Sequence, residues 1–355
     1  MRVSVLGGGN TAFALAANLT LRGHEVVLWE APDQAASVEP LLADPTISLL
    51  GVAERGSARI HRVTTDVAEA AAESILLAPV PSYAHRPFAD LLLPHLRPGH
   101  LLVLLPGNLG SLYFARRARE AGRADGVTFA EVDTAPYVCR KTGPTEATIW
   151  GVVTGLGLGV VPAAATPAAL TALADLFPGI RSYPSALACG MSAGNPVVHP
   201  AGVLLNAGRI ERSRGDFYFY EEGVTPSVAR TIEAVDRERL AVGAAYGLAL
   251  DSVAETFWKA GFGPRGDLWA TINGSRMLTA FRAPGSLDTR WLAEDIPYGI
   301  ATWSRLGEAA GVPTPIMRAL VDLGSAVTGQ DFWKTARSPA DLGLAGPAAS
   351  ERWLG

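Results

Sequence analysis

The stretch RVSVLGGGNTAFALAANLTLRGHEVVLWE, Arg2 to Glu30, decides the fold. RVSVL is β-rich and apolar, and it runs straight into Gly7, Gly9 and Ala12, spaced as GxGxxA. A helical segment from Ala12 to Arg22 follows, Gly23 ends it, and EVVLW returns as a second strand to Glu30, 23 positions past Gly7. Glycines there permit a tight turn and let a pyrophosphate approach the helix N-terminus, whose unpaired N–H groups and positive dipole end attract it. Strand before, helix after and acidic residue at the second strand end together predict a dinucleotide-binding βαβ unit, with Gly7, Gly9, Asn10, Thr11 and Ala12 lining the loop.

Outward from that unit the alternation continues: SILLAPV, a helical run from Pro87 to Leu96, LLVLLP, and a helical run from Ser111 to Ala121. Continuous apolar strands alternating with helices imply a parallel sheet covered on both faces, a Rossmann-type α/β domain. From about Gly190 the β-branched runs stop and helix-period segments take over. Thr225-Pro226 offers an N-cap followed by proline at the first helical position, with Val228, Ile232, Val235 and Val242 behind it. Further helices are predicted over Trp291 to Ala310 and Pro315 to Val327, and a loosely packed tail over Ser338 to Gly355. The domains expected are 1–185, dinucleotide-binding, and 186–355, helical and catalytic.

A chain of 355 residues has room for about two domains of the usual size. Its composition, 48% hydrophobic and 18% charged, excludes disorder, and a net charge of −4 gives no field to hold nucleic acid. Only Cys139 and Cys189 are present, with no metal-ligand spacing, so no disulfide framework or metal site is expected. The start MRVSVLGGG lacks the form of an export signal, which points to the cytoplasm. Ala147 to Ala174 is uncharged and long enough to cross a bilayer, but its glycines and prolines predict strand, turn and helix instead.

Glu30 at the strand end suits the adenosine ribose hydroxyls and would repel a 2′-phosphate, so NAD is favoured over NADP; a solvated strand-end glutamate is the bland alternative. Pro79 to Pro81 and Pro106 to Asn108 close two strands at the edge where a nicotinamide would lie, or simply punctuate them. Five of the six histidines, His24, His61, His85, His95 and His100, fall mostly in turns or on polar helix faces of the α/β half. His199 stands apart in NPVVHPAG, one helical turn after Asn195, with Pro200 bending the helix beside it. By spacing alone it is a core histidine or a catalytic one, and Asn195 is either a substrate contact or an N-cap before Pro196. In RWLAEDIPYGI the adjacent Glu294 and Asp295 must point to different sides, and Arg290 has a fork that fits a carboxylate; a surface ion-pair cluster explains these residues as well.

Taken together, GGGNTA at Gly7, PSYAHRPF at Pro81, LPGNLG at Leu105, YVCR at Tyr137, NPVVHP at Asn195, LLNAGRIE at Leu204, FYEEGVTPSV at Phe219, DRERLA at Asp236 and EDIPYG at Glu294 resemble the octopine and nopaline (opine) dehydrogenases over nearly the full length. The bacterial members acting on hydrophobic amino acids are the most similar. The resemblance implies a Rossmann-type domain followed by a helical domain like the carboxy-terminal one of 6-phosphogluconate dehydrogenase. It also implies NADH- or NADPH-dependent condensation of an amino acid with an α-keto acid, commonly pyruvate, to an N-(1-carboxyalkyl) amino acid. His199 and Asp295 match the family's catalytic pair, and Arg290 is implied as a contact for the keto-acid carboxylate. A histidine can be protonated near neutral pH, and a carboxylate on its other nitrogen orients the ring and stabilises the imidazolium. The partners expected are these small substrates, with no membrane, and the one protein partner considered is a second copy of the chain in a homodimer. Phe257, Trp258, Trp269 and Phe281 suggest an apolar wall around the amine, or ordinary core. Two other readings stand beside this one. A 2-hydroxy-acid or ketopantoate-type reductase would use a lysine, of which the chain offers Lys141, Lys259 and Lys334; a non-catalytic dinucleotide sensor would need neither His199 nor Asp295.

Overall fold

A computed structural model describes residues 1–345, which divide into two compact units, Met1–Gly190 and a second beginning at Met191. In the first, β1 (Arg2–Leu6), β2 (Glu25–Trp29), β3 (Thr46–Gly51), β4 (Gly56–Arg59), β5 (Arg62–Thr64), β6 (Ile75–Ala78), β7 (Leu101–Leu104), β8 (Thr128–Val132), β9 (Tyr137–Gly143), β10 (Glu146–Val152), β11 (Gly157–Val161) and β12 (Arg181–Ser182) form two sheets. The main sheet runs β12-β11-β8-β7-β6-β1-β2-β5, parallel throughout except where β11 meets β8. The strand order reverses between the parallel neighbours β1 and β6, and ligands bind outside the carboxyl ends of strands at such a point. The glycine loop after β1 and the Pro79 to Pro81 loop after β6 both open there.

Helix Asn10–Leu21 has every residue from Ala12 to Leu19 buried, so it shows no polar face. Its alanines let it lie between β1 and β2 on one side and a second, small sheet on the other, ordered β4-β3-β10-β9. The one polar side chain in that run is satisfied: Asn18 donates to Tyr137 Oη at 2.9 Å and accepts from the Glu54 N–H. This small sheet has no counterpart in the sequence reading, because β3, β4 and β9 are mixed in polarity and burial. The uncharged run from Ala147 to Ala174 starts as a strand and ends as a helix, as expected, but carries a second strand, β11, between them, and no helix among the described residues is long and apolar enough to cross a membrane. The histidines of this unit are more deeply placed than a polar-face reading allows: His24, His85 and His100 are buried, His85 with its ring edge-on to Phe114.

The second unit is helical. Helix Pro226–Ala245 begins where expected, with Thr225 accepting from the Val228 N–H, and Pro315–Thr328 ends on Gly329 in the left-handed conformation. The helix expected over Trp291 to Ala310 is broken into Arg290–Ala293, a wide turn over Ile296–Ala301 and a helix over Thr302–Ala309. Pro297 is the cause, since it cannot donate the intrahelical bond and the backbone widens around it. The tail from Ser338 is packed as far as it is described: Leu342 and Leu344 are buried, and Asp341 accepts from Ser338. The rest of the expected loose tail, 346–355, lies outside the described residues.

Candidate active site

In the first unit the glycine loop is built by close packing. A Cβ on Gly8 would sit 2.1 Å from Ser37 Oγ and 2.7 Å from Glu30 Oε2, while one on Gly9 would meet open space. The backbone of Gly8 is therefore pinned from behind, leaving Gly9 and the first N–H groups of helix Asn10–Leu21 on the open side, with no side-chain cap. Such a helix start with an open approach is where a pyrophosphate fits. By contrast, the start of helix Gly110–Glu120 is filled from within, because the buried Glu131 carboxylate accepts from the Leu109 and Ser111 N–H groups at 2.9 and 2.8 Å. The residues present thus fit one dinucleotide phosphate group, at the first loop.

Glu30 has a structural role in the loop. It is buried, with Oε2 accepting from Gly8 N–H at 2.6 Å and from Ser37 Oγ at 3.1 Å, and Oε1 accepting from Ala31 N–H at 2.8 Å. A carboxylate has about four acceptor positions, so one remains for a ribose hydroxyl. Burial raises its pKa, while the bonds from Ala31, Gly8 and Ser37 pull the other way. Asn10 Oδ1 accepts from the Lys141 N–H at 2.9 Å and its carbonyl accepts from Cys139 Sγ at 3.7 Å, tying the helix start to β9, while Thr11 follows in the first turn of the helix.

Lys141 is the residue the sequence reading missed here. Its ammonium lies 3.7 Å from the centre of the Phe13 ring and donates to the Ser37 carbonyl, the same residue whose hydroxyl bonds Glu30. Burial lowers its pKa and the Glu30 charge opposes that. A cation beside the Glu30 carboxylate therefore arrives from 111 positions along the chain, where local spacing gives no sign of it. After β6 and β7 the two proline loops are joined by Asn108 Nδ2 donating to Ser82 Oγ at 3.0 Å, with Asn108 and Leu109 both held at positive φ, 47° and 66°. Strained non-glycine backbone of that kind persists only where its surroundings hold it, here the Glu131 carboxylate.

In the second unit, helix Asn195–Leu204 carries His199 on a buried face next to Pro200. Pro196 in its first turn packs directly on Gly299, where an added Cβ would lie 2.2 Å from Pro196 Cβ. That close approach seats the turn around Pro297 against the histidine helix, and Asp295, at the start of that turn, bonds His199: Nδ1 to Oδ2 is 2.8 Å. Both side chains are only 8% exposed. Nε2 of the same ring is 3.2 Å from the Tyr220 hydroxyl.

Residues four apart in this segment share a face, which sorts RWLAED into two pairs. Trp291, one turn before Asp295, stacks on the His199 ring with centroids 4.2 Å apart and planes 8° from parallel. Arg290 pairs with Glu294, Nε and Nη2 lying 2.9 and 2.6 Å from Oε2. Phe219 stands edge-on to both His199 and Trp291. Burial raises the Asp295 pKa, with His199 the main opposing influence. So Glu294 and Asp295 do point to different partners, and His199 and Asp295 are brought together. Arg290 is half-exposed with its fork closed on Glu294. Asn195 is exposed and is the first residue of its helix, the cap being Gly194, so the N-cap alternative fails.

Tyr220 and Trp291 were missed by sequence reasoning, although both lie inside motifs it quoted; nothing in local spacing says that two distant aromatic rings close on one imidazole. Of the expected aromatic wall, Phe281 reaches Tyr220, ring to ring at 6.3 Å, and Phe257 is buried against Phe262. Trp258 and Trp269 are exposed, Trp258 beneath the Arg265 guanidinium. None of the three lysines joins this cluster: Lys259 pairs with Asp251, Lys334 is exposed, and Lys141 belongs to the glycine loop. Among the described residues no group of His, Cys, Asp and Glu could hold a metal ion. An acidic-buttressed imidazole under an aromatic face can pass a proton at Nε2 while Nδ1 stays committed to the carboxylate.

Comparison with known proteins gives a consistent picture. The family model described as "NAD/NADP octopine/nopaline dehydrogenase, alpha-helical domain" matches residues 182–328. An opine dehydrogenase of Arthrobacter sp. is 32% identical over 350 residues, covering 98% of this chain and 96% of its own. A vitopine synthase of Allorhizobium ampelinum is 28% identical, covering 97% and 96%. Among solved structures, an octopine dehydrogenase with NADH and L-arginine superposes with a TM-score of 0.78 at 20% identity, covering 97% of this chain and 96% of that one, so the two share a fold.

Proposed function

The chain belongs to the opine dehydrogenase family, NAD(P)-dependent oxidoreductases that act on CH–NH donors and join an amino acid to an α-keto acid by reduction, and from that premise we propose that His199 and Asp295 carry its proton chemistry, with pyruvate as the keto acid. The observation that carries the proposal is the buried contact of His199 Nδ1 with Asp295 Oδ2 at 2.8 Å. In this reading residues 1–190 hold the dinucleotide at the glycine loop, NADH in preference to NADPH because the Glu30 carboxylate would accept from ribose hydroxyls and repel a 2′-phosphate, and the unit from Met191 on holds the catalytic groups.

Overall, an ammonium, a keto acid, a reduced dinucleotide and one proton give a secondary ammonium, an oxidised dinucleotide and water. His199 serves the steps that move protons. Neutral Nε2 takes a proton from the substrate ammonium, freeing the lone pair that attacks the keto carbon. As imidazolium it returns that proton to the carbonyl oxygen, and after a second proton passes from the attacking nitrogen to the resulting hydroxyl, that oxygen leaves as water as the C=N bond forms. Asp295, ionised, holds the Nδ1–H and stabilises the imidazolium between those steps, and the Trp291 face stacked on the ring adds to that stabilisation. The bound reduced nicotinamide supplies the hydride that saturates the C=N bond. Arg290 is proposed to take the keto-acid carboxylate by exchanging its partner Glu294. Asn195 stays a proposed substrate contact only in virtue of its place one turn before His199.

With both cysteines unpaired, the cytoplasm is the proposed setting. The proposed partners are the two small substrates and a second copy of the chain in a homodimer; nucleic acid is not among them at a net charge of −4. The test is NADH oxidation with pyruvate plus pools of amino acids, beside pyruvate alone, in wild type and His199→Ala. The proposal expects oxidation only when both substrates are present, and its loss in the variant. Turnover with pyruvate alone would make the protein a simple keto-acid reductase, and full activity of His199→Ala would remove the histidine from the chemistry.

A further inference from the structure

We propose that Tyr220 is a positioning residue for the reaction: its hydroxyl holds His199 Nε2, the nitrogen left to meet the reactants once Nδ1 is committed to Asp295, and yields that nitrogen when substrate arrives. The inference builds on the reading of His199 given above. Tyr220 Oη lies 3.2 Å from Nε2, and among the described residues this is the one hydrogen-bond partner of that hydroxyl. A buried tyrosine hydroxyl without any partner is costly, so the bond is a built feature rather than an incidental contact.

The ring is held from two sides. Phe219 lies edge-on at 5.0 Å and Phe281 edge-on at 6.3 Å. The backbone is fixed as well: Phe219 N–H donates to the Phe281 carbonyl at 2.8 Å, and Tyr218 pairs with Arg282 in an isolated bridge. With ring and backbone both fixed, the hydroxyl stays at the imidazole without an ordering cost at the moment of reaction.

A hydroxyl suits both states of the ring. When Nδ1–H is donated to Asp295 and the ring is neutral, Nε2 is an acceptor and Tyr220 donates to it; when Nε2 is protonated, it donates to Tyr220 Oη instead. Only the hydroxyl hydrogen turns. Burial, and the Asp295 charge after it, raise the tyrosine's pKa, so the hydroxyl stays protonated and holds a proton for Nε2 without becoming an anion. The groups facing the imidazole are Asp295 at Nδ1, Tyr220 at Nε2, Trp291 on one face and Phe219 edge-on; Glu294 and Arg290 act on it through Asp295.

Tyr220→Phe removes the hydroxyl and keeps the ring between Phe219 and Phe281. The experiment compares wild type, Tyr220→Phe, His199→Asn and the double variant in single-turnover NADH oxidation, with NADH binding followed by fluorescence and the imidazole nitrogens by 15N NMR. The expected result is a loss of about 10-fold in the rate of reduction in Tyr220→Phe, with the dissociation constant for NADH unchanged. The Nε2 resonance should move toward that of an unbonded pyridine-type nitrogen. In the His199→Asn background, removing the hydroxyl should cause no further loss, because the tyrosine acts through the histidine. A Tyr220→Phe enzyme with the wild-type rate, an unmoved Nε2 resonance, or an equal loss in both backgrounds overturns the proposal. His199→Asn alone separates the two readings: an inactive His199→Asn beside a fully active Tyr220→Phe overturns only the tyrosine, whereas an active His199→Asn overturns the histidine and the tyrosine with it.

Discussion

Asp295→Asn removes one charge from the His199 pair and almost nothing else. The amide has nearly the shape of the carboxylate, and its oxygen can still accept the Nδ1–H that Asp295 Oδ2 now accepts at 2.8 Å. What disappears is the attraction between carboxylate and imidazolium. Unit charges with centres about 4 Å apart, at an effective dielectric constant of about 20, attract by about 4 kcal/mol. Retaining a neutral hydrogen bond recovers about 1 kcal/mol, so the imidazolium formed during turnover loses about 3 kcal/mol, or roughly 100-fold in rate. Stability should move the other way. Burial holds the Asp295 carboxyl above the ordinary carboxylate range, so between the unfolded and folded values the folded protein binds more protons than the unfolded chain. Wild-type stability therefore falls as pH rises through that window, and the loss is complete above it. Asparagine does not ionise, so at neutral pH the variant should melt no lower than wild type, and the two should converge below the window. The assay is NADH oxidation at saturating amine and pyruvate, beside melting curves across acid and neutral pH and NADH binding by fluorescence. A variant within about 3-fold of the wild-type rate would refute the charge argument; one that melts well below wild type at neutral pH would refute the view that the buried carboxylate is held there at a cost.

Gly8→Ala places a methyl 2.1 Å from Ser37 Oγ and 2.7 Å from Glu30 Oε2, so the loop must shift and NADH affinity should fall by about 10-fold or more in a fluorescence titration; unchanged affinity would detach this loop from the cofactor. Lys141→Met takes the cation from beside Glu30, and NADPH binding should weaken more than NADH binding, measured the same way, with equal weakening counting against a role at the ribose. Arg239→Met leaves the buried Asp236 without the guanidinium now 2.6 Å away, and should cost about 3–5 kcal/mol in a denaturant melt, while a loss under about 1 kcal/mol would contradict the pairing. Arg290→Met should raise KM for the keto acid far more than KM for NADH; equal rises would remove it from the carboxylate, and a larger rise for NADH would assign it to the dinucleotide.

What the sequence shows well is what local spacing encodes. GxGxxA between two apolar strands specifies the βαβ unit because turn, helix start and strand end lie within thirty residues. Thr225-Pro226 and Gly329 mark helix ends for the same local reason. The second sheet was hidden because β3 and β10, parallel neighbours, are almost a hundred positions apart, and pairing at that distance leaves no period to detect. Pro297 is visible in the sequence, yet whether a proline kinks, ends or widens a helix depends on what packs beside it, here Pro196 on Gly299. His199 and Asp295 were picked out by resemblance and by chemistry, not by spacing, since 96 positions separate them. Lys141, Tyr220 and Trp291 act by proximity alone, so their partners emerge only from the folded chain.

The central claim is that hydride is delivered to a C=N bond formed from two substrates. The most direct measurement is mass spectrometry of the product from pyruvate, the amine identified from the pools, and NADH carrying deuterium at its transferable position. The account predicts an N-(1-carboxyethyl) amino acid with one deuterium on the new carbon, absent when His199→Ala replaces the wild type. Deuterated lactate, formed whether or not the amine is present, would contradict it.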